Sequence, residues 1–523
     1  MSFYLGDNPN TWRTDVPVWE GVRLKNIYPK IDLVLTSNEG RFTPRLLARK
    51  GADVSQVKLR IQGAQELKLV ENGIRVKTQV RAFTLPFFRV VNRANPNQQL
   101  LDVSIEGDVV TAPFTTKVAS KESNAELDDD TVYQTLFGGG VLDFGADIAI
   151  DSAGNAYVTG SRYSADFETD SFVVKLDATG TLVQTTIFGG SDSDDASGIV
   201  VDAEGNAFVS GSTFSPDFAG AGNPYDWDGF VAKVNAGGGL DWAQRLGGEG
   251  HDFASTLAWN GAGLLTGGSS GSVNWGAASE GSGFLSAVDV NGGVGAPEFI
   301  NQSAEGTSVS GVAVQGGAVW VTGIYSAEGN AQGFVQNRSS GQTATFGGLG
   351  NELPADLVVD PAGNAYVVGA TDSTDWAGYH PGDCIGPEIA QESALPCHDV
   401  FVVRLGTDGG MTSQLFGGSG DDWGNGIAAN AQGEVLVVGD NGSGDWLTPN
   451  YGNGDGFVLQ LNSTLTPTWT RVIGGSSFDG AGGVAVDASG AVYVAGHLSD
   501  GADTNAYAAK LQPNMNSNSM NVY

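Results

Sequence analysis

One phrase returns seven times along this chain: an apolar run, Asp-x-x-Gly or a relative of it, a second apolar run, and a closing glycine. It is clearest in Ile148 to Gly160 (IAIDSAGNAYVTG), Ile199 to Gly211, Leu357 to Gly369 and Val484 to Gly496. Weaker copies close on Gly267, Gly323 and Gly439, so the closing glycines are spaced by 51, 56, 56, 46, 70 and 57 residues. A repeat of about 50 residues carrying short β runs is the pattern of a propeller blade, which cannot bury its faces except against its neighbours. Glycine supports this: 78 of 523 residues is about twice the usual share, and the glycines hold fixed phases instead of forming low-complexity tracts.

Within a repeat, Asp151-Ser-Ala-Gly154 has Asp first and Gly fourth, as a type I turn favours. The expected first strand is Ala146 to Asp151 and its return is Asn155 to Thr159. Ser171 to Leu176 is the third strand, and its kin GFVAKV, GFLSAV, GFVQNR, VFVVRL, GFVLQL and AYAAKL each keep an aromatic second. One ring per blade at one phase is most simply inter-blade packing. The fourth strand ends in Phe-Gly-Gly or a relative. That ending also occurs at Phe137 to Gly139, before any complete blade, and is missing after the last third strand, Ala506 to Leu511. The ring is therefore predicted to have seven blades and to close by lending Val132 to Phe137 to the last one.

With FGG-x3-D before the first strand and S-x-D-[FW] after the second, residues 131–512 resemble the SBBP family of bacterial β-propeller repeats. Residues 3–35 and Gly51 to Gly63 look like the β-rich domain of unknown function that commonly precedes them, although this chain starts partway into that domain. The resemblance implies an exported or surface protein with no established activity. On their own evidence residues 1–118 also read as strands: Val54 to Ile61 alternates, and Leu67 to Val76 is a hairpin with Asn72-Gly73 at its turn. The expected organisation is all-β. A β-rich domain spans 1–118, an acidic linker 119–130, a seven-bladed propeller 131–513 and an Asn/Ser-rich flexible tail 514–523.

Charge is divided unevenly. Residues 1–118 carry 17 Lys/Arg against 11 Asp/Glu, and the remainder 9 against 48, which is +6 and −39 of the total −33. A body this acidic repels phosphates, so nucleic acid is excluded as its partner. No apolar run approaches the roughly 18 residues a membrane helix needs. The opening Met1 to Gly6 has neither a basic nor an apolar leader region, so the chain reads as lacking a signal peptide. Cys384 and Cys397, the only two cysteines, lie 13 apart in the long insertion 372–398 and read as a disulfide of an oxidising compartment.

Eight positions before each turn residue lie Asp143, Asp194, Asp252, Thr307, Glu352, Asp422 and Asp479. Placed in the loop before each first strand, these acids are expected to ring one face around the central channel. The plainer account is that each ties its own loop through backbone N–H groups. The sharper one is Ca²⁺, the only cofactor considered, held where acids cluster at Asp192, Asp194 and Asp195 or at Asp421 and Asp422. The loops after the second strand, expected on the same face, carry Trp376 and Trp446 beside Asp, a pairing suited to sugars but equally to packing. The unrepeated Tyr225, Trp227, Tyr379 and Tyr451, in insertions 219–228, 372–398 and 440–456, are the better contact candidates. Catalysis has little support: four scattered histidines, no Gly-x-Ser-x-Gly and no His-Glu-x-x-His. Three functions follow. The first is an extracellular or cell-surface scaffold that binds protein or glycan through its loop face. The second is a structural subunit of a large assembly, such as a phage-tail-like particle or filament, docked through residues 1–118 and made in the cytoplasm. The third is a glycan-active enzyme.

Overall fold

In the computed structural model the described residues are nine strands between positions 21 and 111 and the stretches 131–138, 142–163, 168–220, 222, 225–277, 281–303, 305–376, 378–380, 383–384, 395–447, 454–475, 477–499 and 503–512. The chain forms two compact units, Met1–Asp129 and Asp130–Tyr523. The expected linker 119–130 and tail 514–523 lie outside the described residues.

The first unit contains three antiparallel sheets of three strands. Gly21–Tyr28, Ile31–Asn38 and Arg41–Ala48 form one, and Glu66–Val70, Gly73–Lys77 and Ala82–Pro86 a second. The predicted hairpin is in the second, with Val70 opposite Gly73, one residue earlier than an Asn-Gly turn would set it. Lys58–Arg60 pairs with Val109–Thr111, itself paired with Ser104–Glu106.

The second unit is a ring of seven four-stranded antiparallel sheets. Blade 1 runs outward through Asp143–Ile150, Ala156–Tyr163, Thr169–Leu176 and Leu182–Phe188. The innermost strands of blades 2 to 7 are Asp194–Val201, Asp252–Trp259, Thr307–Gln315, Glu352–Val359, Asp422–Ala429 and Gly480–Val486. Blade 7 adds Val492–Ser499 and Thr504–Leu511, and its outermost strand is Thr131–Phe137 from the start of the unit, with Leu136 opposite Tyr507. The closure predicted from the early Phe-Gly-Gly phrase is present.

The inner strand begins three residues earlier than the sequence pattern suggested, at Asp143 instead of Ala146. In all seven blades it carries a one-residue irregularity against the second strand, between Gly145 and Asp147 in blade 1. The closing glycine sits opposite that bulge, and a Cβ at Gly160 would overlap the Phe144 carbonyl oxygen. By the same criterion the closing residue of blade 3 is Gly268 and not Gly267, because its first turn is one residue shorter. The Asp-x-x-Gly turn is built by its aspartate: Asp151 Oδ1 accepts from Ala153 N and Asn155 N, both at 2.9 Å, and Gly154 takes φ +80°.

Seven apolar clusters fill the seven blade interfaces. Phe172, Phe230, Phe284, Phe334, Phe401, Phe457 and Tyr507, the recurring aromatics of the third strand, are all buried. The repeated rings are the packing elements the period implied.

Candidate functional site

Strand alternation sends successive side chains to opposite faces, so starting the inner strand at the acidic position turns that residue away from solvent. Asp143, Asp194, Asp252, Glu352, Asp422 and Asp479 are all at most 2% exposed. The acids therefore stand on one face as buried groups, and their contacts fit the plainer account in which each ties its own loop. Their partners show a shared latch. Asp194 Oδ2 accepts from Gly190 N at 2.6 Å and Ser215 Oγ at 2.9 Å. Asp252 takes Gly248 N and Ser272 Oγ, and Asp422 takes Gly418 N and Ser443 Oγ, at 2.6 to 2.9 Å. Glu352 binds Ser373 and Thr371. Asp479 accepts from Gly475 N and Ser499 N, and Thr307 from Gln302 N. Asp143 lies 3.8 Å from the Arg162 guanidinium.

The S-x-D-[FW] phrase completes the latch. Ser215, Ser272, Ser373 and Ser443 also accept from Asp192 N, Gly250 N, Gly350 N and Gly420 N. Asp217, Asn274, Asp375 and Asp445 accept from Ser191 N, Glu249 N, Leu349 N and Ser419 N. The accompanying rings turn inward. Trp376 lies 6.4 Å from Phe346 and 5.5 Å from Phe401, and Trp446 5.0 Å from Phe457. Tyr379 packs on the core of blades 4 and 5 and donates to Cys397 O at 2.8 Å. Trp376, Trp446 and Tyr379 are thus fixed by packing rather than presented to a ligand. Tyr451 and the first copy of the phrase, residues 164–167, lie outside the described residues.

The acids proposed for Ca²⁺ do not converge. Asp194 is buried in its latch while Asp195, its strand neighbour, faces the opposite side, and Asp192 Oδ1 caps Ser193 N at 2.9 Å. Asp422 is buried, whereas Asp421 Oδ1 lies 3.0 Å from both N and Nδ1 of His398. Among the described residues no three His, Cys, Asp or Glu side chains are placed to hold a metal.

The latched loops leave three aromatic rings at the surface, beside the aliphatic Val273 and Leu349. Tyr225 is 80% exposed, Phe253 36% and Phe478 53%, and all three belong to the face made by the loops before the first and third strands. Trp227 stands between Phe214 (5.4 Å) and Phe253 (6.4 Å). His497 stacks with Phe478 at 5.6 Å and meets Phe144 edge-on at 4.9 Å, and His398 stacks on Trp423 at 4.3 Å. All four histidines of the chain lie on this face, which their scatter in the sequence hid. The recurring Asp-Phe or Asp-Trp at 143–144, 252–253 and 422–423 was the available signal for this rim, since the residue after a buried one points outward.

Burial perturbs several groups near the ring's axis and interfaces. It pushes the carboxyls of Asp147 and Asp422 up to about 7 and those of Asp228, Asp356 and Asp440 up to about 6. The same desolvation lowers His497 to about 4. Asp147 and Asp356 each accept two backbone N–H bonds, one from the next blade, which oppose but do not cancel the cost. A raised carboxyl stabilises the fold below its unfolded pKa and loses that contribution as pH rises through the folded value. His497 acts oppositely, its contribution being present above its ordinary value and lost on acidification. With five groups against one, thermal melts at fixed ionic strength should show a higher Tm at pH 5 than at pH 8. A Tm that climbs from pH 5 to pH 8 would contradict it.

Comparison with known proteins finds matching stretches in both units. Residues 1–86 match the domain of unknown function DUF7948, and residues 132–168 and 185–218 match the SBBP β-propeller repeat. The regulatory protein FlaEY of Caulobacter vibrioides is 26% identical over 397 residues, covering 66% of this chain and 40% of that protein. This chain's match thus spans about two fifths of that relative's length. Virginiamycin B lyase from Staphylococcus aureus is similar with a TM-score of 0.45 and 10% identity, over 73% of this chain and 99% of its own. A streptogramin B lyase gives a TM-score of 0.42 and 11% identity, over 73% and 98%.

Proposed function

We propose that this chain, an SBBP β-propeller repeat protein with a DUF7948 domain at its N-terminus, is a non-catalytic binding platform that recognises a protein or glycan through its loop face. The observation that carries this reading is the distribution of rings: every aromatic side chain among the exposed large hydrophobics of the described residues is on that face. Such side chains combine large contact area with low ordering cost. The latches beneath them hold the loops in place before any partner arrives, which favours affinity. A regulatory role for the Caulobacter relative is in keeping with binding. The test compares wild type with Tyr225→Ala/Trp227→Ala/Phe478→Ala on a glycan array and against partners cross-linked in the native source. The variant should keep its Tm and lose what wild type retains. If it retains everything, and deleting residues 1–118 abolishes capture, the basic domain is the functional end.

We also propose an extracellular or surface setting, supported by the cysteines. Cys397 is fully buried and carries no free thiol, and we pair it with Cys384, whose strand Asp383–Cys384 lies opposite Leu395–Pro396. Intact mass of protein handled without reductant should show the oxidised chain; two free thiols would argue for assembly in the cytoplasm. One observation favours the assembly reading. Val132, Leu136, Leu182, Val183 and Ile187 are exposed on the outermost strands of adjoining blades 7 and 1, an apolar edge of the kind interfaces cover.

A further inference from the structure

We infer that the mouth between blades 2 and 3 takes the cationic side chain of a lysine- or arginine-bearing peptide segment. The inference rests on the loop-face reading and names its partner. Phe214, Trp227 and Phe253 form a slab of three rings, and Tyr225, two residues before Trp227, is 80% exposed. The slab is fixed in place. Trp227 N donates to His251 Nδ1 at 3.1 Å, and its carbonyl accepts from Asp252 N at 2.7 Å. The insertion that carries it is anchored by Arg245, whose Nη2 donates to Ser215 O at 2.6 Å and Phe218 O at 2.7 Å.

Charge selects the ligand. At this end of blades 2 and 3 the stretch from Phe214 to Phe253 carries Asp217, Asp226, Asp228, Glu249 and Asp252 against one lysine or arginine, Arg245, while Lys233 and Asp241 lie at the opposite end of the blade. Both bases are occupied, Arg245 by Asp228 and Lys233 by Asp241. Neither offers a binding anion anything or repels a binding cation. Partly exposed Asp226 and exposed Glu249 flank the rings, within a unit whose sequence is strongly acidic. A cation over an aromatic face is attracted by the ring quadrupole, and an aliphatic stem lies on the same surface. A sugar would need polar groups beside the ring with hydrogen-bonding capacity to spare. Here the repeated carboxylate and amide each spend one oxygen on the loop, Asp217 Oδ1 on N and Oγ of Ser191 and Asn274 Oδ1 on Glu249 N, so it is the negative charge beside the π surface that favours a cation.

The test titrates the full chain with a capped hexalysine peptide at low and physiological salt, followed by calorimetry. Hexaglutamate, maltohexaose and capped hexaarginine serve as comparators. Hexalysine and hexaarginine should bind, more weakly as salt rises, and hexaglutamate and maltohexaose should not. Trp227→Ala should weaken hexalysine by about tenfold, the range of a partly desolvated cation–π contact. Tyr225→Ala, at a fully surface position, should weaken it in the same direction, whereas Phe478→Ala should leave it unchanged. Thermal melts establish that each variant is folded. The inference is overturned if hexalysine fails to bind, or if its affinity follows salt alone and ignores Trp227 and Tyr225. Should maltohexaose bind instead and depend on those rings, the cationic partner is wrong while the loop-face platform stands. If no loop-face substitution alters any binding, including that of cross-linked native partners, both fail together.

Discussion

A chain lacking residues 1–140 is expected to melt far below one lacking residues 1–120. The shorter deletion spares Thr131–Phe137, and the longer removes it and leaves the last blade with three strands. That strand does more than complete a ladder. Phe137, 8% exposed, belongs to the core between blades 7 and 1 and meets Phe172 edge-on at 6.0 Å. Tyr133 packs on the same core, and Thr135 Oγ1 donates to Gly180 O of blade 1 at 2.6 Å. The strand therefore joins the last blade to the first as well as to its own sheet. Loss of Phe137 alone is worth about 3–5 kcal/mol by analogy with core truncations, and the backbone pairing with Thr504–Leu511 goes with it. Without it the third strand of blade 7 becomes an exposed edge, and the longer truncation should also aggregate. Equal melting temperatures for the two chains would refute the idea that this strand holds the ring closed.

How much of this was legible in the sequence depends on whether a feature is a phase or a direction. Blade number and ring closure are phases, and a phrase that recurs seven times displays them directly. The fate of a side chain is a direction, set by where a strand begins and where it bulges. Asp194 and Asp195 are neighbours in sequence, yet one is buried in a latch and the other is not. A three-residue error in the start of the inner strand left the first of them in a loop instead of on the strand that buries it. Recurrence itself pointed the right way for the rings. The S-x-D-[FW] rings repeat because they pack, so repetition marked Trp376 and Trp446 as structural all along. Phe253 recurs only as Phe144 and Trp423, and Phe478 and the four histidines do not recur, so a reading led by the seven-fold repeat passes over them.

Arg245→Met is expected to destabilise the propeller by about 3–5 kcal/mol at neutral pH, the usual cost of leaving one partner of a buried ion pair behind. Arg245 Nη1 is 2.5 Å from Asp228 Oδ2, with the two side chains 12% and 2% exposed. Asp228 also faces a second buried carboxylate, because a Cβ on Gly247 would lie within 2.6 Å of both Asp228 Oδ1 and Asp252 Oδ2. Two interfaces relieve the same juxtaposition by changing one member, whereas Asp170 with Asp194 at Gly189 and Asp399 with Asp422 at Gly417 keep both acids. An amide, Gln332 or Asn505, stands opposite Glu352 and Asp143 at the equivalent glycines 347 and 138. Between blades 2 and 3 both acids also remain, and here a guanidinium is the compensation. Even so, burial outweighs it and Asp228 is pushed up to about 6. Two consequences separate this account from simple loss of packing. The penalty should shrink at pH 5, where Asp228 takes a proton, and Arg245→Met/Asp228→Asn should be more stable than Arg245→Met alone. Urea unfolding at pH 5 and pH 8 measures both. A penalty that is the same at the two pH values, with no rescue by the second substitution, would mean that Arg245 acts only through its bonds to Ser215 O and Phe218 O. In that case its role is to hold the loop that carries Trp227, and its loss would weaken hexalysine binding as well as stability.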